Sequence, residues 1–582
     1  MTQPSAAPGD QPARPGVPAW VAAASGVLAA AVAMGAAQLA AGLTVPQASP
    51  AVAVGQAAID LTPPAVKDWA ISVFGADDKT VLLGGILVVL AVFAAAVGTL
   101  AVRRLALGMS GLAVFACIGL AAALTRPTAT PAYVVPTLAG AAAGALALGW
   151  LVRAAAATAV QEAAEAGRAA PGAGPRPAAE AVPRPAARAD GTPGDATSLL
   201  APPDLPAPGS SFTFLPNPHD PEPSPWPGRR RFLVASGVAL AGAAAGALAG
   251  RELITRDNVS TARAAIRFPA PAVPAPPLPP GSNLGIPGLS SFITPNGSFY
   301  RVDTALLLPE VDPGTWQLRI HGMVRREVVI SFGDLLRRPL VEDYVTLTCV
   351  SNPVGGPFVG NAKWLGARLA DLIRQARPLA GADQLLCTSA DGFTSGTPLQ
   401  VVLDGRDALI AVAMNGTPLP VAHGFPARMV VPGLYGYVSA TKWVTDIEVT
   451  TFASASAYWA QRGWSQQAPI KTESRIDVPA GGASLAPGRT PVAGVAWAQH
   501  EGIAAVEVRV DRGPWRQARL AAVPDIDTWR QWVWEWDATP GTHLIEARAT
   551  DRTGYTQTAA VAPPEPNGAT GYPSVTVTVG GR

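Results

Sequence analysis

Cysteine, histidine and charge are all scarce in this chain: 3 Cys, 5 His and 14% charged residues over 582 positions. Three cysteines cannot furnish a four-thiolate zinc or iron–sulfur site, nor a disulfide framework of any size. Any metal must be held largely by a cofactor or by few protein ligands. The 43 Lys+Arg nearly balance the 41 Asp+Glu, which leaves no broad cationic surface and argues against nucleic acid as a partner. Soluble domains carry about 25% charged residues. A value of 14%, with a mean hydropathy of +0.25, therefore points to a chain that lies partly in lipid. Its length allows about three or four domains.

The missing charge is concentrated in the first half. Uncharged windows run from Pro15 to Ile59 (with Trp20 to Leu43 apolar enough to span), between Lys79 and Arg103, between Arg104 and Arg126, and between Arg126 and Arg153. Each exceeds the roughly 18–20 residues needed to cross about 30 Å of hydrocarbon. Residues 1–153 thus read as four transmembrane helices. A fifth, over 229–251, is Ala/Gly-rich from Phe232 to Gly250 and is flanked by Arg229-Arg230-Arg231 and Arg251. Arginine is concentrated at Arg103, Arg104, Arg153 and Arg229–Arg231, whereas the alternate loops hold Lys67, Lys79 and Arg126. The positive-inside rule then puts the N-terminus in the cytoplasm and everything after Gly250 outside it. The expectation is a multi-pass protein of the plasma membrane with an extracytoplasmic C-terminal half.

Residues 154–228, rich in Ala, Pro, Gly and Arg, bury too little apolar surface to fold alone and read as a disordered cytoplasmic linker. The run Arg229-Arg230-Arg231-Phe232-Leu233 has the character of a twin-arginine export signal placed inside the chain. A plain arginine anchor is the other reading, and both stay open. Residues 252–290, Pro-rich from Phe268 to Pro280, read as an extended spacer that holds the outer domain off the membrane.

From Ser291 the composition becomes that of a mixed globular domain. Trp316 to Val324 and Val345 to Val350 read as strands, and Arg368 to Ala376 as a short amphipathic helix, giving α+β for 291–467. Cys349 lies in Thr348-Cys349-Val350-Ser351-Asn352-Pro353-Val354-Gly355-Gly356, where an apolar strand meets a Gly/Pro turn. A thiol at the mouth of a strand can reach a ligand in a cleft. Cys117 and Cys387 lack that turn and read as inert buried residues.

Several segments then follow in order: Phe299-Tyr300-Arg301-Val302-Asp303, Cys349, Met414-Asn415-Gly416-Thr417-Pro418, His423-Gly424-Phe425-Pro426-Ala427-Arg428, Val431-Pro432-Gly433 and Lys442-Trp443. This order resembles the sulfite oxidase family of molybdenum enzymes over roughly residues 291–580. The resemblance implies a molybdopterin cofactor with Cys349 as the protein thiolate on the metal. One soft thiolate is enough if the cofactor supplies the other sulfurs.

The resemblance also implies roles for the matched positions. Arg428 and Lys442 suit the cofactor phosphate, and His423 can donate to the cofactor. Ser439, Ala440 and Thr441 can offer backbone N–H groups, and Asp391 matches a carboxylate that accepts from pterin N–H groups. Arg301 matches an arginine near the metal that favours an anionic substrate, and Phe299, Tyr300, Val302 and Asp303 complete that cofactor segment. One position departs. Sulfite-oxidising members hold a tyrosine two residues before the Met of the Met-Asn-Gly motif, where this chain has Val412, so sulfite loses support as substrate.

Residues 468–582 show period-2 alternation, as in Trp532-Val533-Trp534-Glu535-Trp536, with turns such as Asp511-Arg512-Gly513-Pro514. They read as an immunoglobulin-like β-sandwich, and the resemblance implies a dimerisation domain, hence a possible homodimer. The five histidines are His219, His321, His423, His500 and His543. None falls in a proposed span, and Cys-x-x-Cys-His is absent. The expectation is therefore no haem or iron–sulfur cluster in this chain, and a separate electron-transfer partner.

Taken together, the expected protein is a membrane-anchored molybdenum-dependent oxidoreductase that moves an oxygen atom on a small anionic or oxo-compound substrate, with sulfite one candidate. The alternatives are a sulfoxide or other oxyanion reductase on the same fold, and a non-catalytic binding module that has lost the metal.

Overall fold

The structure, a computed structural model, describes residues 17–63, 66, 78–126, 129–169, 228–256 and 259–580. Among the described residues up to Arg256, six α-helices occur: α1 (Ala19–Leu43), α2 (Pro50–Leu61), α3 (Asp78–Arg103), α4 (Leu105–Leu124), α5 (Val134–Ala169) and α6 (Gly228–Arg256). Five of them, all but α2, are long and apolar enough to cross a membrane. They are apolar on their outer faces too. Leu87, Val88, Val89 and Val92 of α3 are exposed, as are Leu233, Val234, Val238 and Leu240 of α6. A helix apolar all round suits lipid or a protein core, and little of this surface is covered by protein.

The chain divides into two compact units. One comprises 1–31, 91–112 and 144–242, and the other 32–90, 113–143 and 243–582. Within the first, α1 and α3 touch through small residues: a Cβ at Gly26 would lie 1.9 Å from Ala94 O, and one at Gly98 would lie 2.2 Å from Ala22 O. Within the second, α1 and α6 approach as closely. A Cβ at Gly246 would fall 2.8 Å from Gly35 O, and one at Gly250 would fall 2.5 Å from Gln38 O. Backbone-to-backbone contact of this kind is how helices associate where no hydrophobic effect separates them from solvent. Gly246→Val is expected to push α6 from α1 and to destabilise the protein by about 1–3 kcal/mol. A lowered melting midpoint in detergent checks this.

Two expectations for the helical half need correction. Residues 154–169 continue α5 as helix instead of opening a linker, because Ala is the strongest helix former and outweighs the polar composition. The rest of the expected linker, 170–227, lies outside the described residues. Cys117, expected to be buried, is exposed on α4. The Pro-rich spacer is also seated on the strand 340–348 and does not stand free of it: Ala272 N–H donates to Leu340 O, and Glu342 N–H donates to Val273 O. Just before it, a short helix over Ser260–Ala265 is fixed by Arg263, which donates to Leu419 O at 2.7 Å and Pro418 O at 2.8 Å.

Residues 317–450 contain two five-stranded sheets. One runs in the order 328–331, 317–322, 444–450, 384–389, 394–398. The other runs 340–348, 359–368, 409–414, 417–418, with 428–430 also on 409–414. Their apolar faces share a core that includes Leu318, Ile320, Leu365, Ile410, Val412 and Ile447. The helix Leu369–Ala376 adds Leu369, Leu372, Ile373 and Ala376 to it.

After Glu473 two further sheets face each other, 473–478, 488–497, 530–538, 519–520 against 484–485, 574–579, 541–551, 503–510, 516–517. Their shared core holds Val492, Trp532, Trp536, Val506 and Ala547.

This β-rich region braces the strand 340–348. Thr346 N–H donates to Asp527 O, Trp529 N–H donates to Thr346 Oγ1 at 2.7 Å, and Gln499 Nε2 donates to Thr346 O and Thr348 Oγ1, both at 3.0 Å. The brace ends one residue before Cys349.

Glu473 is buried in the first of these two sheets, and its Oε1 has no partner among the described residues. Burial pushes its carboxyl up from 4.5 to about 8, with Lys471 opposing. The folded state therefore holds the proton more tightly than the unfolded chain, and stability falls as pH rises from about 4.5 to about 8. Glu473→Gln is expected to raise stability at pH 8 by about 1–3 kcal/mol and to change little at pH 4.5. Melting midpoints at the two pH values check the sign.

Candidate active site

Cys349 follows the braced strand directly. Its N–H donates to Phe358 O at 2.9 Å, and its own carbonyl accepts from Asn352 N–H at 3.1 Å, so the thiol is presented on a tight turn. It is buried, and burial pushes its pKa up. Hydrogen bonds from Ser351 and the charge of Lys442 act the other way. A buried thiol becomes a thiolate only when a cation joins it, which suits a metal ligand better than a free nucleophile. Asn352 closes the turn by accepting Phe358 N–H at its Oδ1 (2.8 Å), while its buried Nδ2 has no partner among the described residues.

A cluster of cations forms the rest of the site. Among the described residues Arg428, 5% exposed, donates only to carbonyls: those of Met429 (3.3 Å), His423 (3.2 Å) and Ala440 (3.2 Å). Its guanidinium stacks 5.1 Å from the Trp364 ring centroid. Burial pushes its pKa down to about 10. A buried guanidinium without a carboxylate is costly, so the arrangement is one that awaits an anion.

Lys442 has little exposure, its side chain at 11%, and this partial burial pushes it down to about 8, although Asp303 Oδ2 lies 2.8 Å from its Nζ and pulls it up. Asp303, 4% exposed, also takes Arg301 Nε at 2.8 Å; the Arg301 side chain is 41% exposed, at the edge of the cluster. The phosphate-suited Lys442 is thus partly neutralised by Asp303, a pairing that the sequence order concealed. Gly424 makes the approach possible. It has φ +106°, and a Cβ there would sit 3.1 Å from Lys442 Cα.

The Nε2 of His423 lies 3.2 Å from Asn296 O, and a carbonyl can only accept, so Nε2 carries the hydrogen. Burial, then Arg428 and Lys442, push its pKa down to about 4, which keeps the ring neutral. Nδ1 is then the ring's acceptor.

Phe299 packs edge-on against His423 and Trp364 and stacks on Tyr300. Tyr300 is held neutral, its pKa raised by burial and then by Cys349. Val302 is exposed.

Of the segment 439–441, Ser439 Oγ donates to Leu434 O and Tyr435 O, and Thr441 Oγ1 bonds Ser395 Oγ. The Ala440 N–H is taken by Gly436 O and is not free for a ligand, because a short helix over Gly436–Ser439 extends into this turn. Asp391 lies half-buried on the turn after strand 384–389, and its Oδ1 accepts Phe393 N–H at 3.1 Å. Ala390 N–H, donating to Trp443 O at 2.8 Å, ties that turn to the Lys442 segment.

Trp364, Ser351, Asn352 and Asn296 were not foreseen as contributors. Ser351 and Asn352 stand in the quoted cysteine turn, but nothing local marks Trp364 or Asn296. Val412 is fully buried among core residues, so the strand 409–414 presents no phenol at that position.

These residues fit a molybdopterin cofactor: one thiol on a rigid turn, a buried cation with no anionic partner, and an orphaned amide beside the thiol. Comparison with known proteins agrees. Residues 305–459 match the oxidoreductase molybdopterin binding domain. Sulfite oxidase of Gallus gallus is 30% identical over 322 residues, covering 47% of this chain and 69% of that protein. Mitochondrial sulfite oxidase of Mus musculus is 30% identical over 286 residues, 42% of this chain and 52% of that protein. The uncharacterized oxidoreductase YuiH of Bacillus subtilis (strain 168) is 32% identical over 153 residues, 26% of this chain and 74% of that protein. The chain thus spans about half the length of the mouse relative and over two thirds of the chicken one. Similarity of that extent, laid over a cluster of side chains of matching chemistry, places the chain in the sulfite oxidase family and makes it a molybdenum-dependent oxidoreductase.

Proposed function

We propose that the chain is a membrane-anchored, extracytoplasmic enzyme that transfers an oxygen atom to or from a small anionic or oxo-compound substrate at molybdopterin, with a separate protein or small carrier exchanging the electrons. The observation that carries the reading is Arg428, a buried cation without a carboxylate partner, in one pocket region with His423 and Lys442 and linked electrostatically through Lys442 to Cys349. Bound there, the cofactor supplies a two-electron centre competent for oxygen-atom transfer. Cys349 would hold the metal, Arg428 and Lys442 the phosphate, and Asp391 the pterin N–H groups, while His423 Nδ1 would accept a donor. Arg301, at the exposed edge, would draw an anion in. The retention of all these groups supports an enzyme over a module that has lost its metal.

Val412 favours the second reading within the fold. The phenol expected of a sulfite-oxidising member is absent from that position, so reduction of a sulfoxide or another oxyanion stands beside sulfite oxidation. A substrate screen with an artificial electron carrier decides between them: turnover of sulfite alone favours oxidation, and turnover of sulfoxides alone favours reduction.

Residues 291–467 would form the catalytic domain and 468–582 an immunoglobulin-like domain able to pair two copies. The five apolar helices would span the bilayer. Contacts made by Asp60 and Arg126 with the catalytic region support placing both of those loops on its side of the membrane. A reporter fused after Arg582 should be active outside the cytoplasm only, and cytoplasmic activity would overturn the topology.

A further inference from the structure

The helix α2 and the turn between α4 and α5 touch the later part of the chain at a specific place. Arg126, in the turn between α4 and α5, donates from Nη2 to the carbonyl of Asp391 at 3.3 Å across 265 residues of sequence. Its Nε is buried and has no partner among the described residues. Nearby, Asp60 at the end of α2 accepts from the Tyr458 hydroxyl at 2.8 Å and stands 3.8 Å from Arg462. Arg462 in turn lies 3.5 Å over the Tyr458 ring. Both grips act on one piece of structure, because Tyr458 packs against Phe393 (ring centroids 5.8 Å) and its N–H donates to Thr394 Oγ1 at 2.9 Å. A third contact, a Cβ at Gly55 only 2.8 Å from Leu306, shows α2 close against the chain just beyond Asp303.

These contacts do more than tether. The Asp391 turn is a short connection between two strands, anchored inward by the Ala390 to Trp443 hydrogen bond beside Lys442. On its other side Arg126 supplies a charge-assisted hydrogen bond, stronger than a neutral one and set in a partly buried place. We propose that Arg126 is a positioning residue for the cofactor: it acts through the Asp391 carbonyl to hold the Asp391 turn closed, so that the turn between α4 and α5 is part of the cofactor site. This rests on the reading of Asp391 as a cofactor contact. Ligand-orienting groups of this kind are typically worth 10–100-fold in affinity.

The test uses the full chain in detergent, with two readouts. In protein from a host that makes the cofactor, Arg126→Ala should lose molybdenum about 10-fold faster than wild type during dialysis, with Arg126→Lys between them. In protein from a host that does not, Arg126→Ala should speed amide hydrogen exchange at residues 389–394 while leaving strand 340–348 unchanged. Tyr458→Phe, which removes only the hydrogen bond to Asp60, should shift both readouts in the same direction by less. Faster exchange in Arg126→Ala with no molybdenum in any variant would uphold the grip on the turn and fail the cofactor reading. Wild-type exchange at 389–394 in Arg126→Ala would overturn the inference, and so would molybdenum loss at the wild-type rate from a loaded enzyme. If Arg126→Ala does not fold, the same two outcomes are read from Arg126→Lys and Tyr458→Phe.

Discussion

Cys349→Ser is expected to leave the fold intact and to bring turnover down to background. The side chain is nearly isosteric, and the turn is held by backbone hydrogen bonds to Phe358 and Asn352 that need no sulfur. The strand before it is fixed independently through Thr346 and Thr348. A hydroxyl is a harder and far weaker acid than a thiol, so it does not replace a soft anionic ligand. Circular dichroism and the melting midpoint of the cofactor-free protein should match wild type. Near-normal activity in the variant would refute the assignment of Cys349.

Arg428→Met should separate cofactor binding from protein stability. The guanidinium is buried with three carbonyls and, among the described residues, no carboxylate, and burial pushes its pKa down to about 10. Truncating one member of a buried charge pair costs about 2–5 kcal/mol of binding, a loss of roughly 30- to 4,000-fold at 1.4 kcal/mol per decade. Methionine keeps the stem over Trp364 and removes the unpaired charge, so the cofactor-free protein should melt at or above the wild-type temperature. Cofactor content by metal analysis and the melting midpoint, measured on the same preparations, check both halves. A variant that melts far below wild type while retaining its cofactor would show that Arg428 serves packing and not anion binding.

How far the sequence could be read depended on whether a feature is local. Five long helices were visible because each leaves a charge-free window longer than a bilayer is thick. The helix α2 was not, since it shares the uncharged stretch from Pro15 to Ile59 with α1, and only Pro46 and Pro50 interrupt it. The continuation of α5 to Ala169 was masked by a composition shared with the segment after it. The seating of 268–280 escaped because a Pro-rich chain still offers single N–H groups, such as that of Ala272, to a neighbouring strand.

The site divides the same way. The cysteine turn and the His423 to Arg428 segment are contiguous and carry their own signature. The neutralisation of Lys442 by Asp303, the hydrogen on His423 Nε2 and the floor made by Trp364 depend on partners far away in the chain. Arg126 is the extreme case. In the sequence it is one charge that ends two apolar windows, and only the fold brings it to Asp391.

The central claim is that this chain holds a molybdopterin cofactor through Cys349 and the Arg428 pocket. Its most direct test is the molybdenum and pterin content of the full-length protein, purified in detergent from a host able to make the cofactor, beside Cys349→Ser prepared in the same way. The account predicts about one molybdenum per wild-type chain and its loss from the variant. Well-folded wild-type protein essentially free of molybdenum, or equal metal in both, would contradict it.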